Sequence, residues 1–204
     1  MSDIYGKYEA ALVPIGEQVL QAIEARARQQ GGHPLIEHSC MRVKAEASMR
    51  EKCVAQGHVP GPQAALRAIH DAIGVRVVTR FVDQIEPLCA IVRSLPGVRV
   101  VQEKDYIRTA KANGYRSYHL ILEVRAPYED VDGHNPGSWL VEVQLRTIAM
   151  DTWASLEHEM RYKKNVANER LIAAELKRIA DELASCDLSM QTIRRMILGG
   201  EDEA

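Results

Sequence analysis

No apolar run in the 204 residues approaches the ~20 needed to span a bilayer. The first residues lack the apolar core of a secretory signal, so a cytoplasmic location is expected. An excess of one charge is also missing. The 26 Lys and Arg face 28 Asp and Glu, for a formal net charge of −2. That excludes a protein that holds nucleic acid by a broad positive surface, but leaves room for a local basic pocket. Aromatic residues make up 5% of the chain, with one phenylalanine. The core is therefore expected to be aliphatic, and a tyrosine in a polar stretch carries information. Cys40, Cys53, Cys89 and Cys186 form no C-x-x-C pair. They read as reduced, mostly buried thiols, without the close spacing of a zinc site. Neither G-x-x-x-x-G-K-[ST] nor G-x-G-x-x-G occurs. Residues 158–162 begin like H-E-x-x-H, but Tyr162 stands where the second ligand would be. The proportions are those of an ordinary globular chain of one domain with helical extensions, without internal repeats.

The patterns that are present alternate between helix and strand. Ile4, Tyr8, Leu12, Ile15, Val19 and Ile23 recur at three or four residues and predict a helix over 4–30, with Pro14 as a kink or restart. A second helix is predicted over 42–56, a short one over 63–70 and another over 83–94. Strands are predicted over 74–81, 98–101, 118–124 and 139–146, with a hairpin loop at 127–138. A helix follows to about residue 164, and a last one covers 168–198. Four strands among helices give an α/β or α+β fold with a mixed sheet. In the last helix Ile172, Leu176, Ile179, Leu183, Cys186, Met190, Ile193 and Ile197 alternate spacings of four and three. This stripe fits either a helix lying along its own domain or one that associates with a second copy.

Residues 103–119 carry Lys104, Arg108, Lys111 and Arg116 around Tyr115 at an Asn113-Gly114 turn. Cations beside an aromatic suit phosphates and a stacked base; a solvated loop with a packed tyrosine fits equally. On the strand 139–146, Val141, Val143 and Leu145 face one side, and Glu142, Gln144 and Arg146 the other. Three polar side chains on a central strand are costly unless paired or used. They are either a solvent-facing sheet surface or the floor of an active site, with Glu142 as metal ligand or base. Asp71, just before the strand bearing Arg76, could share Mg²⁺ with Glu142. Lys44, Ser48 and Lys52, four residues apart, are expected to form a cationic stripe on the helix 42–56, with Arg42 near its start. His70-Asp71 is like the metal-binding pair of HD-type phosphohydrolases, with no histidine-rich segment to complete such a site.

Taken together these segments resemble the synthetase domain of RelA/SpoT homologues, and most closely the single-domain small alarmone synthetases. The matching pieces occur in family order over residues 40–165. They are Arg42-Val43-Lys44 with Ser48 and Lys52, residues 71–76, residues 103–107, residues 111–119, residues 142–147, and Trp153-Ala154 with Glu157-His158. The resemblance implies a nucleotidyltransferase-like mixed β-sheet flanked by helices. Residues 1–40 would be an N-terminal helical extension, 41–165 the synthetase domain, and 166–204 a C-terminal helix serving as an oligomerisation element. It implies transfer of the β,γ-pyrophosphate of ATP to the ribose 3′-hydroxyl of GDP or GTP, giving AMP and ppGpp or pppGpp. Carried over, Asp71 and Glu142 hold Mg²⁺, and Glu142 takes the hydroxyl proton. Arg42, Lys44, Ser48, Lys52 and Arg76 lie along ATP. Tyr115 stacks on guanine, and Lys104, Lys111, Arg116, His119, Gln144, Arg146 and Asp151 serve the acceptor. Ala110 stands where long family members often carry Pro. With no room for a hydrolase half, the chain is expected to synthesise and not degrade.

The partners expected are ATP and GDP or GTP, further copies of the chain with a tetramer favoured, and single-stranded RNA or an alarmone as regulator, with no membrane. Two other readings stay open. A toxic relative would modify tRNA 3′ ends or adenosine nucleotides, using Arg161, Lys163, Lys164, Arg170, Lys177 and Arg178 as a basic patch, although these also suit a solvated helical face. A catalytically weak regulator would bind nucleotide or RNA, but has no need of paired carboxylates.

Overall fold

The structure, a computed structural model, describes residues 4–162 and 168–199. His158, Arg161, Lys163 and Lys164, on which part of the sequence reading fell, and the acidic tail Glu201-Asp202-Glu203 lie outside the described residues or side chains.

A short 3₁₀ turn, Gly6–Tyr8, leads into α1, Glu9–Gln29. The helix runs through Pro14, so the expected restart does not occur. Leu12, Ile15, Val19 and Ile23, predicted from their spacing, are its buried face. A side chain so buried is worth ~1.5–3 kcal/mol relative to exposure. Next comes β1, His38–Val43, then α2, Glu46–Ala55. This corrects the helix expected over 42–56. Arg42 lies on a strand, Lys44 in the connection, and only Ser48 and Lys52 share a helical face. The short helix at 63–70 is a single π-helical turn, Ala64–Ala68.

Strand β2, Ile73–Thr79, is followed by a 3₁₀ turn and α3, Ile85–Arg93. Strands β3, Val98–Asp105, β4, Tyr118–Ala126, and β5, Gly137–Thr147, come next. β3 is twice the expected length and takes in Glu103, Lys104 and Asp105. Helices α4, Ile148–Tyr162, and α5, Glu169–Gly199, complete the chain. There are thus five strands rather than four, and their order is β1-β2-β5-β4-β3. β2 and β5 are parallel and every other pair is antiparallel. The sheet is mixed, as expected, and β5 is its centre.

Val75, Val77, Val141, Val143, Leu145, Leu120 and Leu122 form one core with the apolar faces of α1 and α3. At Gly16 a Cβ would stand 2.6 Å from Met41 Cγ and 2.9 Å from Ile73 Cγ2, so α1 approaches β1 and β2 closer than any side chain permits. Trp153, Leu176 and Ala180 form a second, smaller cluster between α4 and α5, with Tyr115 packed against it. The 127–136 connection is the predicted hairpin loop, closed around buried Asp130. Among the described residues no helix is long and apolar enough to cross a membrane. All four cysteines are free thiols; Cys53 and Cys89 are buried, Cys40 is half-buried and Cys186 exposed.

Candidate active site

Strand pairing assembles the site. Residues directly opposite one another on neighbouring strands share a face of the sheet. One such row runs across all five strands: Cys40, Arg76, Gln144, His119 and Lys104. The next contains Arg42, Gly74, Glu142 and Ile121. The period-2 reading of 139–146 is correct: Val141, Val143 and Leu145 are fully buried, while Glu142 and Gln144 emerge on the opposite face. That face is the floor of a cavity of about 400 Å³. Arg42, Lys44, Asp71, Arg76, Tyr115, Glu142, Gln144 and Arg146 line it, with Cys40 and Glu157.

Five side chains close a ring of hydrogen bonds around Glu142. Arg146 Nη2 donates to Gln144 Oε1 at 2.6 Å, and Gln144 Nε2 donates to Glu142 Oε2 at 2.7 Å. His119 Nδ1 lies 2.9 Å from Glu142 Oε1, and His119 Nε2 lies 2.9 Å from the Tyr115 hydroxyl, which accepts from Arg146 Nη2 at 2.9 Å. A carboxylate only accepts, so His119 Nδ1 carries a proton. With the tyrosine donating to Nε2, each link of the ring joins one donor to one acceptor, while the buried Arg146 Nε, which points out of the ring, has no protein partner. Burial alone would raise the Glu142 carboxyl. The His119 hydrogen bond, the Gln144 amide and the Lys52 ammonium outweigh it and hold the group at about 2. Glu142 is therefore ionised at neutral pH.

Asp71 is held from one side only. Its Oδ2 accepts from Lys44 Nζ at 3.0 Å and Lys52 Nζ at 2.6 Å, while buried Oδ1 has no protein partner. An acid lining the same cavity as Glu142, with one oxygen left over, fits a hard divalent cation held by few protein ligands. Asp151, at the start of α4, binds Arg76 Nη1 at 2.8 Å and Arg146 Nη1 at 2.9 Å. It fixes two guanidiniums at the cavity and does not itself line it.

Lys111 Nζ lies 4.6 Å from the Tyr106 ring centre and 4.8 Å from that of Tyr115. Burial lowers its ammonium pKa; Glu142 opposes this, while Lys104, Lys52 and Arg146 add to it. Lys104 is exposed on β3 and Ser48 exposed on α2, both outside the cavity lining. Arg116 is not brought to the cavity: its guanidinium bonds to α5, at Ala180 O and Asp181. Cys40 on the cavity wall escaped the sequence reading. Alternation backward from Arg42 along a strand would have found it. Of the basic patch, Lys177 pairs with Asp181, and Arg178 with Glu175 and Glu182. These three acids favour the solvated-face reading of that part.

The family described as "Region found in RelA / SpoT proteins" matches residues 41–167. "GTP pyrophosphokinase YwaC" of Bacillus subtilis (strain 168) is 37% identical over 167 residues, covering 81% of this chain and 77% of that protein. "GTP pyrophosphokinase YjbM" of the same strain is 32% identical over 194 residues, covering 92% and 89%. Among solved structures, small alarmone synthetase 1 of Bacillus subtilis bound to its product pppGpp has a TM-score of 0.79 and 29% identity, covering 93% of this chain and 94% of that one. Small alarmone synthetase 2 of the same organism has a TM-score of 0.78 and 33% identity, covering 93% and 99%.

Proposed function

The chain belongs to the RelA/SpoT family, and from that premise we propose that it is a GTP pyrophosphokinase of the small alarmone synthetase type. It moves the β,γ-pyrophosphate of ATP to the ribose 3′-hydroxyl of GDP or GTP, releasing AMP and ppGpp or pppGpp. One observation carries the reading: Glu142 and a half-satisfied Asp71 line one cavity whose other charged walls are four cations, Arg42, Lys44, Arg76 and Arg146, and one acid, Glu157.

Transfer of this kind is mostly positioning and charge neutralisation. Arg42, Lys44, Arg76 and Lys52, which reaches in to Asp71, neutralise the triphosphate of ATP, with Ser48 on the same helix face as Lys52. Tyr115 offers a ring for the guanine and Lys111 a cation for the acceptor phosphates. Lys104, close enough to act on the Lys111 charge, adds a second cation on that side. Glu142, kept ionised and oriented by His119 and Gln144, accepts the hydroxyl proton as the new bond forms. Arg146 fixes both Gln144 and Tyr115, and Asp151 fixes Arg146. Asp71 and Glu142 would hold Mg²⁺, which when bound offsets charge on the transferred phosphates.

We infer also that the chain forms homo-oligomers, a tetramer favoured, through α5. Ile179, Met190, Ile193 and Ile197, on one helix face, are 39–62% exposed. Single-stranded RNA or an alarmone is retained as a candidate regulator. The activity test is incubation of the purified chain with ATP, Mg²⁺ and GDP, GTP, ADP or tRNA, with products resolved. AMP release with ppGpp or pppGpp is expected. Labelling confined to ADP or tRNA would overturn the reading, and no AMP release with any acceptor would favour a binding regulator.

A further inference from the structure

Two residues of the acceptor loop, Gly114 and Arg116, touch α5, and Tyr115 between them packs against the cluster that joins α4 to α5. Gly114, with φ +92°, lies so near that a Cβ built on it would stand 2.5 Å from Ala180 Cβ and 3.3 Å from Lys177 Cα. The Tyr115 ring packs against Trp153 at 6.3 Å between centres, and Trp153 Nε1 donates to Leu176 O at 2.8 Å. Arg116 Nη1 donates to Gly114 O at 3.1 Å and Ala180 O at 3.2 Å, and its Nη2 donates to Asp181 Oδ1 at 2.9 Å. Arg116 thus ties its own loop to one turn of α5, with the guanidinium mostly buried. The cluster under Tyr115 is separate from the main core, so the ring's seat depends on α5 being docked.

We propose that α5 is a positioning element for the acceptor loop, and that Arg116 is a positioning residue acting through α5 rather than a ligand of the acceptor phosphates. The inference rests on the pyrophosphokinase reading for what the loop binds. Its physical content is a coupling: docking of α5 sets Gly114 and Arg116, and these two set Tyr115 between them. The ATP side, built on β1, α2 and β2, has no part in the contact.

A double-mutant cycle on the full chain separates the two roles. Asp181 is 48% exposed at its side chain, so its truncation leaves the fold intact. Arg116→Ala and Asp181→Ala are each expected to raise the KM for GTP about fivefold, with the double variant no worse than either single one. The KM for ATP should stay within about twofold, because none of the ATP-side contacts changes. Asp181→Glu, which keeps the carboxylate, should recover most of the loss. If Asp181→Ala leaves the GTP KM unchanged, or if the two effects multiply, Arg116 acts on the acceptor directly and the proposal is wrong. Amide exchange of residues 111–117 in the unliganded chain gives an independent reading. It should quicken in both single variants, and unchanged exchange in Asp181→Ala would overturn the clamp even if the chain proved not to make alarmone.

Discussion

At the scale of single residues, the two acids differ in how they are held, and that separates their variants. Glu142 has a donor on each oxygen, so Glu142→Gln both removes the charge and turns an amide N–H₂ toward either Gln144 Nε2 or His119 Nδ1. Asp71→Asn keeps an acceptor oxygen but removes the negative charge that Lys44 and Lys52 share. Both variants should lose kcat by roughly a thousandfold, the scale for a major electrostatic stabiliser. Steady-state AMP release, run at several ATP and GTP concentrations, checks this. A loss confined to KM would show that the acids only bind substrate. Glu142, Gln144 and Arg146 were legible as a group because a strand repeats every two residues. Asp71 was found through its segment and not its spacing. That Arg116 bonds to α5 was not legible, because its partners, Ala180 and Asp181, lie more than sixty residues downstream, where no local pattern reaches.

At the scale of elements, α1, α3, β4 and β5 follow apolar periodicity closely and are where the pattern puts them. β1 is not, and the reason is physical. It is an edge strand, its six residues are all exposed or half-buried, and they show no apolar alternation. With β1 unseen, Lys44, Ser48 and Lys52 looked like one helical stripe, although Lys44 reaches Asp71 from the connection before α2. In α5 the heptad pattern was legible, but it merges two faces. Leu176, Ala180, Asp187 and Gln191 dock on the chain itself, with Gln191 Oε1 accepting from Asp83 N at 2.9 Å. Ile179, Met190, Ile193 and Ile197 lie beside that face and stay exposed. If this stripe joins copies of the chain, a charge at its centre breaks the assembly and leaves the protomer folded. Ile193 is 51% exposed, so Ile193→Glu should change monomer stability by less than about 1 kcal/mol. Light scattering coupled to size-exclusion chromatography should move the variant to a smaller species. An unchanged mass for both proteins would remove α5 from the interface.

At the scale of the whole molecule, net charge and stability are sums that hide their terms. The total of −2 conceals a cavity bordered by Arg42, Lys44, Arg76 and Arg146, because acids elsewhere on the chain offset them in the sum: Glu86 and Glu103 both bind the single Arg93, and Glu175 and Glu182 the single Arg178. Stability has a similar concentrated source in the β4–β5 loop. Asp130 is 1% exposed and accepts from the backbone N–H of Asp132, His134 and Ser138, and from Arg67 Nη2 at 2.8 Å. Burial alone would raise its carboxyl. The three N–H donors and the Arg67 charge outweigh that and hold it at about 2, below the ordinary 3.8. The unfolded chain therefore takes up this proton first as pH falls. The contribution is complete above about pH 4 and is lost as pH drops toward 2, and it amounts to about 2 kcal/mol. Asp130→Asn keeps the shape but sets an amide N–H₂ against a donor and leaves Arg67 with less charge to pair. It should be less stable by roughly 2 kcal/mol at neutral pH. Urea unfolding of both proteins between pH 7 and pH 3 isolates the charge, since the other acids, apart from Asp132 beside it, titrate alike in the two. The gap should narrow as pH falls below 4; a gap that stays constant would trace the loss to packing of the loop and not to the ionised carboxylate.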